Sequence, residues 1–186
     1  MSGAEYASRI ASYVAKRFGA RGLKVYKEIR VGKSIIGKNR CIDVFCVLES
    51  SNKAFAIECK FQDSAGTVDE KIPYALDDLE ALPMAGCIAY AGKGFSEGVL
   101  HMLRASPHAA YCSPGTGQAH STADTRELDH LLAMHFGWWD VLVAGRRPVE
   151  VAEGADARDG REVKGIEDEA EAPSTLGFAF HDVRDE

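Results

Sequence analysis

No stretch of this 186-residue sequence is apolar for the length that a membrane-spanning helix requires, and the start, Met1-Ser2-Gly3-Ala4-Glu5-Tyr6, lacks the charged opening and apolar centre of a signal peptide. No membrane partner is expected, and a cytoplasmic location is. The five cysteines (Cys41, Cys46, Cys59, Cys87 and Cys112) are odd in number and contain no Cys-x-x-Cys pair, so a disulfide framework or a zinc ribbon is not indicated. Most lie in apolar runs and read as reduced core residues. His130 and His135 are five apart, which is not the i, i+4 pair of a zinc helix, and no Gly-x-Ser-x-Gly elbow occurs. The bend Gly92-Lys93-Gly94 lacks the full spacing of a phosphate-binding loop and reads as a turn. There is no internal repeat.

The apolar content, 46%, suffices for a core, and the length suggests one domain with an appendage. The net charge of -6 is unevenly distributed. Residues 1–149 hold 18 Lys and Arg against 16 Asp and Glu, whereas residues 150–186 hold 4 against 12. Within residues 1–60 the balance is 12 basic to 5 acidic side chains. Lys33, Lys38 and Arg40 in that stretch, with Lys71 further on, are candidates for contacting phosphates; a solvated hairpin and a surface ion pair of Lys71 with Asp69 or Glu70 are the plainer alternatives. The division expected is a domain over 1–148 and an acidic tail over 149–186, whose charge opposes nonspecific attraction to a polyanion.

Candidate chemistry lies in Asp43, Glu58 and Lys60, spaced Asp-x14-Glu-x-Lys. Side chains alternate along a strand. In residues 54–62, Phe55, Ile57, Cys59 and Phe61 therefore share one face, the core, while Glu58, Lys60 and Gln62 share the other. The run Cys41 to Glu49 is apolar nearly throughout except at Asp43, and a carboxylate in such a strand needs a cation or a hydrogen-bond donor. The polar turn Ser50-Ser51-Asn52-Lys53 pairs the two strands as a hairpin, with Asp43 beside Glu58.

Ile42-Asp43-Val44-Phe45 followed by Ala56-Ile57-Glu58-Cys59-Lys60-Phe61-Gln62 resembles the core of the PD-(D/E)XK nuclease superfamily, with Ile42 where the family name has proline. The resemblance covers roughly residues 5–105. It implies an α/β fold with a restriction-endonuclease-like αβββαβ core, a mixed central sheet flanked by helices. It also implies a metal-dependent endonuclease that hydrolyses phosphodiester bonds in DNA, of restriction, repair or defence type. A Holliday-junction-resolvase-like nuclease, or an inactive nucleic-acid-binding module of the same fold, is the alternative. Asp43 and Glu58 are then ligands of Mg²⁺, for which Mn²⁺ substitutes, the third ligand being the backbone carbonyl of Cys59. Lys60 orients or activates the attacking water. Glu28 is favoured over Glu5 as a further acid, and Gln62 is a candidate for orienting a water or phosphate. Cutting two strands with one site per chain suggests a homodimer.

Around this core, Glu5 to Phe18 has the spacing of an amphipathic helix. Leu23 to Val31 alternates as a strand, with Leu23, Val25, Ile29 and Val31 on one face and Lys27 out of pattern. Thr67-Val68-Asp69-Glu70 fits a capping box before a helix that Pro73 disturbs, and Gly86 to Ala91 reads as a strand. Ser96 to Arg104 and Thr125 to Phe136 read as helices, with a short strand near Ala110 to Cys112 between them. Trp138 and Trp139 are expected in the core, and residues 174–183 regain some apolar character.

Overall fold

The computed structural model describes residues 1–64 and 66–150; the acidic tail and the apolar stretch 174–183 lie outside the described residues. Helix α1 (Gly3–Phe18) is followed by three strands, β1 (Leu23–Lys33), β2 (Asn39–Leu48) and β3 (Lys53–Phe61). Helix α2 (Ile72–Glu80), strand β4 (Gly86–Ala91), helix α3 (Glu97–Ala105), strand β5 (Ala109–Tyr111) and helices α4 (Arg126–Phe136) and α5 (Trp139–Leu142) complete the order. The sheet runs β1-β2-β3-β4-β5, antiparallel from β1 to β3 and parallel from β3 to β5. It is the mixed, helix-flanked sheet of the restriction-endonuclease-like fold. Among the described residues no helix is long and apolar enough to cross a membrane.

Two apolar layers sandwich the sheet. On one face α1 and α4 bury Tyr6, Ile10, Val14, Leu128 and Leu132 against Val44, Cys46, Ile57 and Cys87. On the other, α2 and α3 bury Ile72, Leu79 and Leu103 against Ala56, Ile88 and Tyr90. β4 is buried on both faces and, as expected of a strand inside a parallel array, has no charged side chain. Ser2 caps α1 by accepting from the Glu5 N–H, while Glu5 Oε2 accepts from the Ser2 N–H.

The strand alternation read from the sequence fails in one instructive place. Leu23 and Val25 of β1 face the α1 layer, but Val31 packs in the α2 layer; likewise Val44 and Cys46 of β2 face α1, whereas Ile42 belongs to the other layer. Both strands change allegiance at the same level, between Glu28 and Asp43. Glu28 adopts φ +55°, a left-handed conformation that side-chain-bearing residues seldom take, and this twists the ribbon. The outer half of the β1–β2 hairpin is therefore anchored on α2, not on α1.

The capping box expected at Thr67 does not form. A single 3₁₀ turn over Asp69–Lys71 leads into α2, with Pro73 tolerated in the first turn, where its missing N–H has no intrahelical partner to lose. Asp69 accepts instead from the Ser96 N–H at the start of α3, at 2.9 Å. Of the paired tryptophans, Trp138 stacks on Phe18 and Phe136 with ring centroids 4.9 Å away in each case, but Trp139 is exposed. Cys41 is also exposed, and the other four cysteines are buried.

Candidate active site

Asp43 and Glu58 arrive side by side because β2 and β3 pair antiparallel with Val44 opposite Ile57, so that the next step of the register sets Asp43 opposite Glu58. Backbone pairing between the strands stops at that step. Asp43 Oδ2 takes over, accepting from the Cys59 N–H at 2.8 Å, so the carboxylate closes the ladder where the strands splay. Even-numbered residues of β3 turn their backbone groups to the neighbouring side: Ala56 donates to the Ala85 carbonyl and Gln62 to that of Ala91. The Cys59 backbone consequently faces the splay, on the Asp43 side.

Lys60 lies two residues beyond Glu58, on the same face of β3, with Nζ 3.3 Å from Glu58 Oε2. Burial raises the Glu58 carboxyl above the ordinary glutamate value, the Lys60 ammonium draws it back and Asp43 repels its charge further. This is a carboxylate short of positive partners. Cys59 has its thiol buried in the α1 layer, and burial pushes its ionisation well up, which disfavours a thiolate at neutral pH.

Glu58 and Lys60 sit on a divide between two clefts. One, of 330 Å³, is lined by Asp43, Cys59, Glu28 and Lys27 together with Ala4, Ala7 and Ser8 of α1. The other, of 360 Å³, is lined by Lys38, Arg40, Lys71, Tyr74 and Asp78. Both include Glu58 and Lys60, so a single groove crosses the end of β3. Glu28 thus reaches the groove from β1, across from Asp43. Among the described residues, however, no three His, Cys, Asp or Glu side chains come close enough together to enclose a metal, so Glu28 stands apart from the carboxylate pair. Glu5 is spent on capping α1.

Two expectations require correction. Gln62 is not on the active face: it is 4% exposed, because the chain turns out of the sheet after Phe61. Its amide donates to Asp69 Oδ1 and to the Gly94 carbonyl, and accepts from the Val68 N–H. It pins the loop leading to α2 and leaves no group for substrate. The close approach involves glycine: a Cβ at Gly92 would lie 2.0 Å from the Gln62 carbonyl oxygen, with φ at +109°. Arg40 is not a free cation either. It is 7% exposed and donates from Nε and Nη2 to the Asp78 carboxylate at 2.8 and 2.6 Å. Each partner shifts the other toward its charged form.

Arg40→Gln strips Asp78 of its counter-ion, and the expected result is a loss of roughly 3 kcal/mol of stability in chemical denaturation. Nucleic-acid affinity of the folded variant changes little. A variant as stable as the parent but weak in binding would restore Arg40 to the phosphate-contacting set. Lys33 is exposed and is held by Asn39 Oδ1 at the edge of the groove without lining it, whereas Lys38 and Lys71 line it. Sequence reasoning missed Lys27, which donates to Ser8 Oγ at 2.7 Å and joins β1 to α1 at the groove wall. Its departure from alternation in β1 was the available signal. Tyr74, also missed, carried none.

The profile of the PD-(D/E)XK nuclease superfamily domain matches residues 2–139. No curated protein matches the chain. Two solved structures do: a protein of unknown function, 17% identical over 53% of this chain and 53% of that one with a TM-score of 0.36, and a repair endonuclease from Pyrococcus abyssi, 16% identical over 52% of this chain and 42% of that one with a TM-score of 0.32. The chain spans about half the length of these two structures.

Proposed function

The chain belongs to the PD-(D/E)XK nuclease superfamily, whose nucleases generally use divalent metals, and from that premise we propose that it is a Mg²⁺-dependent endonuclease hydrolysing phosphodiester bonds in DNA. The observation that carries the reading is the register that sets Asp43 opposite Glu58, with the Lys60 ammonium 3.3 Å from the latter.

The donor set suits a hard divalent cation. Asp43 Oδ1 is not used by the Cys59 N–H, Glu58 is a half-buried carboxylate in need of positive charge, and the Cys59 carbonyl adds a third oxygen on the same side. When bound there, Mg²⁺ or Mn²⁺ supplies Lewis-acid stabilisation of the charge that builds on phosphorus and lowers the cost of forming hydroxide from water. Asp43 holds the splayed strands in place through Cys59 while presenting its second oxygen. Lys60, which lines the groove, donates a hydrogen bond to the incoming water or to a non-bridging phosphate oxygen. Lys38 and Lys71, on the far side, neutralise flanking phosphates. A homodimer supplies the second site that double-strand cutting requires.

Incubating the protein with linear, supercoiled, single-stranded and four-way-junction DNA, in Mg²⁺, in Mn²⁺ and in chelator, tests this. Cleavage of duplex substrates is expected with either metal and not in chelator. A strong preference for the junction selects the resolvase alternative. Tight binding without any cleavage selects the inactive binding module and ends the proposal. Sedimentation of the chain with and without duplex checks the dimer.

A further inference from the structure

Three arginines converge away from the groove. Arg17 in the last turns of α1, Arg126 at the start of α4 and Arg146 beyond α5 line one cleft of 430 Å³ with His130 and Ser121. The lining contains no carboxylate. Asp129, buried behind it, lies 4.0 Å from Arg17 Nε and already accepts from the Tyr13 hydroxyl at 2.8 and 2.9 Å. Arg17 Nε is itself buried without a hydrogen-bond partner among the described residues. Within that same set, neither Arg126 nor Arg146 has a carboxylate within 4.0 Å, whereas neighbouring Arg21 is held by both oxygens of Asp140. Guanidinium groups gathered in a concave wall repel one another, and an anion bridging them removes that cost. Phosphate suits the geometry, since each guanidinium can pair two of its oxygens.

The position of this cleft suggests which phosphate. Ala4, Ala7 and Ser8 of α1 line the groove with Asp43 and Glu58. Ser8, Arg9 and Ser12 line the next cleft along the helix, with the loop Gly115–Gln118 opposite, and Arg17 lines the third. Ser8 and Ser12 follow one stripe of α1, whereas Arg17, nine residues on from Ser8, lies half a turn round the helix, so the clefts wind over its outer side from the groove to the arginines. Lys16, reaching the Gly117 carbonyl at 3.5 Å, adds charge beside this track. From Ser8 to Arg17 the helix rises about 14 Å and turns by about half a revolution, so the arginine cleft lies further from the groove than about four nucleotides of one duplex strand.

We propose that the Arg17–Arg126–Arg146 cleft binds a backbone phosphate of the nucleic-acid strand away from the bond that is cut, the strand passing over the outer side of α1. This rests on the nuclease reading.

The test uses the full chain, without metal, and fluorescence anisotropy of a labelled 20-bp duplex over a range of salt concentrations, comparing the parent with R126Q/R146Q and with K38Q/K71Q. Binding of inorganic phosphate to each protein is followed by NMR. For R126Q/R146Q the expected outcome is about tenfold weaker duplex binding, a salt dependence shallower by about one unit of slope and loss of phosphate binding. If only K38Q/K71Q weakens duplex binding, the inference fails and the nuclease reading survives. If the arginine pair abolishes inorganic phosphate binding yet leaves the duplex affinity untouched, the cleft serves a free phosphate ester and the strand proposal is overturned. If the parent binds no nucleic acid, both readings fall together.

Discussion

Asp43→Asn is expected to slow cleavage by about 10³-fold while leaving the fold nearly as stable as before. The two effects separate because, on the proposed reading, Asp43 has two duties on two oxygens. One oxygen accepts from the Cys59 N–H at the point where β2 and β3 part, and an amide oxygen can do the same. The charge that attracts a divalent cation cannot be replaced. Asp43→Ala loses both functions, and the uncompensated backbone donor at Cys59 should cost a further 1–3 kcal/mol, roughly, in urea denaturation. Single-turnover cleavage of a supercoiled substrate together with denaturation of both variants checks the pair. Wild-type cleavage by the asparagine variant would remove Asp43 from the site, and equal stability of the two variants would mean that the Cys59 bond carries no weight.

Glu58→Gln should push activity and stability in opposite directions. Burial, with Asp43 nearby, raises the Glu58 carboxyl above its ordinary value of 4.5 despite the Lys60 ammonium. The folded state therefore holds the Glu58 proton more tightly than the unfolded chain does. Its stabilising contribution is complete below the unfolded value and is lost as pH rises through the raised folded value. At neutral pH the neutral glutamine escapes that loss, so the variant should melt higher than the parent in metal-free buffer, and its advantage should vanish in acid. Cleavage should meanwhile fall by about 10²–10³-fold, since one of two carboxylates has gone. Excess Mg²⁺ reverses the order: a cation at 100 times its dissociation constant adds about 2.7 kcal/mol to the parent, and much less to the variant. Parallel melts at several pH values, with and without Mg²⁺, decide the matter. A metal-free variant that melts below its parent at pH 7 would show that Glu58 is content as an anion beside Lys60, contrary to the burial argument.

Much of this geometry could be read from the sequence because period-two alternation and a short polar turn are local rules. The β2–β3 hairpin, the common face of Glu58 and Lys60 and the inward thiol of Cys59 all follow from them. Reading failed where distant parts of the chain intervene. Gln62 obeys alternation on paper, but the chain has left the sheet by then, drawn by glycines thirty residues further on whose backbone nearly touches it. Arg40 looked like a solvated cation because its partner, Asp78, lies 38 residues away on α2. Glu28, read as a further acid on the polar face of its strand, lines the groove with Asp43, yet nothing in its neighbours announces a left-handed residue inside a strand. The cleft of three arginines draws on α1, α4 and the turn after α5, positions no motif connects.

The change of layer at Glu28 and Asp43 also makes the hairpin a lever. Its short arm is bedded under α1; its long arm, carrying Lys38 at the tip, is clamped to α2 by the Arg40–Asp78 pair and travels with Lys71 and Tyr74. The fulcrum falls at the carboxylate assigned to the metal. A pull on the tip is felt first as a torque at Asp43, so the side chain proposed to hold the metal is also the hinge pin of the arm proposed to meet the substrate.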